Sequence, residues 1–296
     1  MMKHIILDTD IGRNPDDLFA LFLALNSKEI KLDLIISSDE HKNHKALFAN
    51  GFSELINKKV NVTAGKDLGN ENDCFVCEYI DEDNKINYDF LESIIKVVKS
   101  NDVTYYLCIG PLSNLADFIK NNQHLKDKIK IIVMGGKIEL NKGTADRNIR
   151  QDVASAKLVF GSNWDIKWVI ADTTFNDALK LDLHNELYSY LMEVDNMKSR
   201  LIIKNINNYI KFTGKPSYLH DPAVVAYLID EKIIEFEHKN IIMLDNGEFR
   251  IDSSGKLISI SYFMDYTRIN ELVFNIIKQN FKIKEKKEVY EDEFEG

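Results

Sequence analysis

Apolar residues in this chain fall into short runs that alternate with stretches of helical period. His4–Asp8, Leu32–Ser37, Val60–Ala64, Val103–Ile109, Ile129–Met134 and Ile166–Ala171 are compact, largely β-branched runs, and they predict strands. Pro15–Leu25, Lys45–Ile56, Tyr88–Lys99, Leu112–Asn121 and Val153–Phe160 carry the helical spacing between them. Strand and helix in repeated order, with strands apolar on both faces, predict an α/β fold: an open, mainly parallel, Rossmann-like sheet flanked by helices. Function then belongs at the carboxyl ends of the strands. Past residue 175 the pattern changes. Leu181–Thr213 and Asp221–Leu228 read as a helical C-terminal region. Phe236–Ser261 reads as a small β extension with turns at Asn246-Gly247 and Ser254-Gly255, and Thr267–Phe281 as a last amphipathic helix. Residues 1–281 form one domain on this reading, and 282–296 a charged tail.

Composition narrows the function classes. The 296 residues are 45% hydrophobic with 13 Gly and 4 Pro, enough apolar material for a large core. With 38 basic against 47 acidic residues the net charge is −9, which argues against nucleic acid as a partner. No run approaches the roughly 20 apolar residues of a membrane span, so a soluble, cytoplasmic protein is expected. The three cysteines, Cys74, Cys77 and Cys108, are too few for a disulfide framework, and the lone Cys74-Phe75-Val76-Cys77 reads as incidental thiols without an assigned role.

The acid is locally concentrated. Asp8-Thr9-Asp10-Ile11-Gly12-Arg13-Asn14-Pro15-Asp16-Asp17 places four carboxylates in ten residues where the first strand ends. Asn14 is a good N-cap and Pro15 suits the first helical position, so Asp16 and Asp17 fall in a first turn, where the helix dipole favours anions. Capping does not account for Asp8 and Asp10. Two residues apart on a strand, they share a face and repel unless a proton or cation intervenes. An all-oxygen donor set selects a hard divalent cation, Ca²⁺ or Mg²⁺. Further along, Leu219-His220-Asp221-Pro222 places an imidazole and a carboxylate at a helix start, where Asp221 also suits an ordinary cap.

Taken with Ile109-Gly110-Pro111-Leu112-Ser113-Asn114-Leu115, Val133-Met134-Gly135-Gly136 and Asn148-Ile149-Arg150-Gln151-Asp152-Val153-Ala154-Ser155-Ala156, these segments resemble, in order, the motifs of the inosine-uridine-preferring nucleoside hydrolase family over most of residues 3 to 230. The family opens DxDxGxDD or, longer, DxDIGxDxDD. The resemblance implies hydrolysis of the N-glycosidic bond of a small-molecule ribonucleoside. It implies Ca²⁺ held by Asp10, Asp17, the backbone carbonyl of Ile109 and Asp221, with Asp8 in support. Asp16, Asn148 and Asn141 would bind the ribose, and His220 would face the base. A homo-oligomer is common in the family. The chemistry suits the residue types: glycosidic cleavage builds positive charge on the sugar, which an acidic cradle stabilises, and Asp10 would take a proton from the attacking water as general base. His220 would help the base depart.

Several positions depart from the family pattern. Asp146-Arg147-Asn148 stands where members usually have Glu-Phe-Asn, so Asp146 is the substrate-binding candidate in a shortened form. Arg147 replaces an aromatic wall with a cation, suited either to an anionic 5′ substituent or to a salt bridge with a nearby acid. Ser38-Asp39-Glu40 stands for the usual Gly-Asn, making Asp39 a candidate sugar contact, and Asn14 replaces an acid. Phe75, Tyr79, Tyr209, Phe212 and Tyr218 are candidates to stack on a base. Two other functions compete: a ribose- or nucleoside-binding homologue without turnover, and an aspartyl phosphatase of haloacid dehalogenase type with Asp8 as nucleophile, although Gly12 occupies a place where that family has Thr or Val.

Overall fold

The computed structural model describes residues 2–70, 74–76, 86–139 and 143–283. Its centre is a nine-stranded sheet in the order β10-β9-β11-β6-β5-β4-β1-β2-β3. Strands β1 (Lys3–Thr9), β2 (Ile30–Ser37), β3 (Asn61–Ala64), β4 (Thr104–Cys108), β5 (Ile129–Met134) and β6 (Ile166–Val169) are all parallel. In β1, Ile5, Ile6 and Leu7 are completely buried, as a strand covered on both faces requires. Their side chains alternate between two cores: Ile5 and Leu7 join one, Ile6 the other.

On the first face lie α1 (Pro15–Asn26), α9 (Met197–Thr213), α10 (His220–Ile229) and α11 (Tyr266–Asn280); on the second lie α3 (Phe90–Ser100), α4 (Ser113–Asn121) and α6 (Val153–Gly161). Helix α1 is buried along Pro15–Ala24, which explains its near-absence of polar residues beyond the opening turn. Helix α9 begins with a reciprocal capping box between Asn196 and Ser199 and stops at Gly214, whose φ of 67° a side chain would resist. Helix α2 (His44–Leu55) covers β2 and β3 at the edge.

The C-terminal strands differ from the expected short pieces. Strand β9 (Ile234–Met243) has ten residues, and with β10 (Phe249–Ile251) and β11 (Lys256–Met264) it forms an antiparallel meander. Strand β11 pairs with β6, so the meander extends the main sheet. Strand β6 ends at Val169 and Ala171 opens the short helix α7 (Ala171–Thr174), where the periodicity continued the strand to Ala171. Among the described residues no helix is long and apolar enough to cross a membrane. Residues 284–296, most of the expected tail, lie outside the described residues.

Strand order runs outward in opposite directions from the β1–β4 pair, so the carboxyl ends of these two strands form the topological switch point. The chain ends of β1, β4, β5 and β6 meet there. Their approach is close: a Cβ on Gly110 would collide with Ser38 Oγ and lie 2.8 Å from the Asp10 amide nitrogen.

Candidate active site

A cavity of about 220 Å³ opens at this switch point, lined by residues that include Asp10, Asp16, Asp17, Ile109, Asn148 and Asp221. Asp10 follows β1, Asp16 and Asp17 occupy the first turn of α1, and Asp221 the first turn of α10. One carboxylate oxygen each from Asp16, Asp17 and Asp221 lies within 4.8 Å of the others, and all three residues are buried. Burial pushes the three carboxyls upward, Asp16 to about 7; the charge of Asp10 adds to the push on each, and that of Asp16 adds to it on Asp17 and Asp221. Asp16 Oδ1 is buried without a hydrogen-bond partner. A fully oxygen-lined cluster of this charge fits a hard divalent cation, and the Asp16 Oδ1 stands as an acceptor open to a ligand in the cavity.

Local folding explains the crowding. Pro15 occupies the first helical position, as expected, but the Asn14 side chain does not cap α1. Its Oδ1 instead accepts from Ser217 Oγ at 2.5 Å, tying the α1 entrance to the segment before α10. Asp221 likewise makes no cap: the helix starts one residue earlier, at His220, and the Asp221 amide faces Asp16 Oδ2 at 3.5 Å. Neither acid turn is therefore explained by capping. Thr9 Oγ1 donates to Asp17 Oδ1 at 2.5 Å and holds that carboxylate from the β1 side.

Asp8 is enclosed behind the cavity rather than lining it. Tyr106 Oη donates to its Oδ2 at 2.7 Å and Asn114 Nδ2 to its Oδ1 at 3.0 Å, yet burial still pushes its carboxyl up to about 7. A carboxyl so enclosed cannot reach a substrate, which excludes the aspartyl phosphatase reading with Asp8 as nucleophile. Tyr106 and Asn114 were not singled out for this role in the sequence, although Asn114 belongs to one of the quoted motifs.

Asn148 donates through Nδ2 to the carbonyls of Ile109 at 2.8 Å and Met134 at 3.0 Å, bridging the ends of β4 and β5. The bridge fixes its amide at the cavity wall, with Oδ1 as its remaining acceptor. Asp146 lines the cavity but caps α5 (Arg147–Gln151): its oxygens accept from Gly136 N at 2.6 Å and Ile149 N at 3.3 Å. Asp39 is elsewhere. Fully buried, with φ 54°, it pairs with Lys45 at 3.5 Å and accepts from Asn70 and Gln151, and it does not line the cavity. Asn141 lies outside the described residues.

His220 does line the cavity. Its Nδ1 is 2.8 Å from Thr174 Oγ1, and burial lowers it to about 4, so the ring is neutral at pH 7. It forms an aromatic wall with Tyr218 (centroids 5.6 Å apart) and Phe175 (6.3 Å, nearly parallel). Phe175, 47% exposed and lining the cavity, carried no sequence signal, because a lone aromatic after a strand has no motif. Tyr209 also lines the cavity, while Phe75 and Phe212 stack on each other at 4.8 Å. Tyr79 and Cys77 lie outside the described residues. Cys74 is disulfide-bonded, which corrects the expectation of incidental thiols; Cys108 is free and buried.

Comparison with known proteins places this site in context. The family model described as inosine-uridine preferring nucleoside hydrolase matches residues 5–273. An inosine-uridine preferring nucleoside hydrolase of Crithidia fasciculata is 26% identical, over 80% of this chain and 82% of its own. A pyrimidine-specific ribonucleoside hydrolase of Salmonella enteritidis is 24% identical, over 95% of this chain and 96% of its own. In fold, a purine-preferring ribonucleoside hydrolase from Gardnerella vaginalis superposes with a TM-score of 0.79 at 22% identity, covering 95% of this chain and 100% of its own.

Proposed function

The chain belongs to the inosine-uridine preferring nucleoside hydrolase family and is a hydrolase of N-glycosyl bonds; on that premise we propose that it cleaves a ribonucleoside to ribose and free base, dependent on Ca²⁺, with Asp10 as general base. The observation that carries the reading is the convergence of Asp16, Asp17 and Asp221 at the switch point with an orphaned Asp16 oxygen. Asp10, Asp17, Asp221 and the Ile109 carbonyl would hold the ion. When bound, the ion supplies a fixed positive charge that orders a water and the vicinal ribose hydroxyls.

The protein's own groups do the rest. Asp16 and the Asn148 Oδ1 accept hydrogen bonds from ribose hydroxyls. The wall of Phe175 and His220 packs on the base. As the C1′–N bond breaks, its electron pair leaves with the base and positive charge grows on the sugar, which the surrounding carboxylates stabilise. Water oxygen bonds to C1′, Asp10 takes the water proton and later releases it to solvent, and the departing base takes a proton from solvent. His220, neutral near pH 7, acts as a hydrogen-bond donor to that base.

Asp10→Asn keeps an oxygen ligand and removes the base. The account expects kcat to fall by about 10² or more while calcium binding, followed by titration calorimetry, persists. Near wild-type turnover would remove Asp10 as base.

A further inference from the structure

We propose that Asn14 is a further catalytic residue, donating a hydrogen bond from its amide nitrogen to the base acceptor beside the glycosidic bond, N3 of a purine or O2 of a pyrimidine. This rests on the hydrolytic reading above and deepens it. Asn14 lines the cavity two residues before Asp16. Its Oδ1 accepts from Ser217 Oγ at 2.5 Å, and the other acceptor near that hydroxyl, the Tyr218 carbonyl, is 3.5 Å away, so the amide oxygen takes the serine proton. Ser217 is buried and does not line the cavity. The oxygen end of the Asn14 amide therefore points behind the wall, and the nitrogen end is left at its surface. Among the described residues, the Ser217 bond is the only hydrogen bond of this side chain.

The place of the amide selects what it can touch. On one side stands Asp16, assigned to the ribose hydroxyls. On the other, Ser217 leads directly into Tyr218, whose ring packs on Phe175 at 4.4 Å and on His220 at 5.6 Å in the base wall. A donor between the sugar pocket and the base wall meets the base on the edge that flanks C1′. Purines and pyrimidines alike carry an acceptor on that edge. As the C1′–N bond breaks, the electron pair it leaves spreads through the ring onto N3 or O2, so a hydrogen bond there strengthens in the transition state. The Ser217 tie does not itself call for an amide: a carboxylate, as in the longer family opening, accepts from a serine equally well. What asparagine adds is a donor where an acid could only repel the growing charge.

The test uses calcium-loaded, full-length protein and two substrate pairs, inosine with 3-deazainosine and uridine with 2-thiouridine, in which the second member lacks the acceptor or weakens it. In the first arm kcat/KM is measured for wild type, Asn14→Ala and Asn14→Asp, the last keeping the shape and the Ser217 bond. Relative to wild type, each variant should cut the ratio of parent to analogue about tenfold, chiefly through kcat on the parent, because the analogue offers the amide little to bond. A ratio equal in all three proteins overturns the inference even where turnover falls, since an Asn14 that only ties Ser217 or spares the site a further negative charge would slow both members alike. In the second arm, calorimetry compares the same pairs on Asp10→Asn with and without Asn14→Ala. The parent should bind about fivefold more tightly, and Asn14→Ala should abolish the advantage. Cleavage of the parents with ratios indifferent to Asn14 overturns the inference while the hydrolytic reading stands. A binding advantage that depends on Asn14, with no cleavage of any substrate by wild type, supports the contact to the base and overturns hydrolysis.

Discussion

Freed of divalent cation, this protein should lose stability as pH rises, and Asp8 isolates the effect. Its carboxyl is fully buried and held near 7 against an ordinary 3.8, the donors Tyr106 and Asn114 offsetting only part of the burial. The unfolded chain releases this proton above about pH 4, whereas the folded chain keeps it until about pH 7. An acid raised on folding stabilises the fold at low pH and withdraws that support as pH climbs. Between about pH 5 and 6.5 the folded state carries one extra proton at this residue, so stability falls by about 1.4 kcal/mol per pH unit, or about 2 kcal/mol across the window. Above pH 7 both states are ionised and the contribution levels off. The assay is urea unfolding in chelator at constant ionic strength, for wild type and Asp8→Asn. The amide does not titrate, so the stability difference between the two proteins should change by about 2 kcal/mol over that window. Parallel pH curves for the two proteins would refute the assignment of a protonated, buried Asp8.

Other consequences follow from single contacts. Asn114→Ala removes the donor to Asp8 and the Ser37 carbonyl and the acceptor of the Lys66 amide, and should cost about 1–3 kcal/mol in urea unfolding. Gly110→Ala should lower both melting temperature and turnover, because the added methyl pushes Ser38 and the Asp10 backbone apart. Phe175→Ala should raise KM about tenfold with a melting temperature nearly unchanged, since this ring is half-exposed and contributes to the base wall more than to the core.

The sheet was legible because its central strands are buried on both faces and so carry uninterrupted apolar runs, with helical spacing between them. The acids of the site were legible for a different reason: Asp8 to Asp17 are adjacent in sequence, and their crowding needs no tertiary information to be seen. What escaped detection depends on long-range contacts. Tyr106 and Asn114 meet Asp8 only after β4 and α4 are placed beside β1. Asn14 reads as a cap from local chemistry, but Ser217, two hundred residues away, takes its side chain. Asp39 reads as a sugar contact from its position after β2, whereas Lys45 and Gln151 hold it in a buried turn. The salt bridge expected of Arg147 is present, and its partner is the residue assigned as the general base.

The most direct measurement is release of free ribose or ribose 5-phosphate, with the matching free base, from a panel of ribonucleosides and their 5′-monophosphates, each run with Ca²⁺ and with chelator. The account predicts sugar and base in equal amounts from at least one substrate with Ca²⁺, and none with chelator. No sugar from any substrate, or release undiminished by chelator, would contradict it.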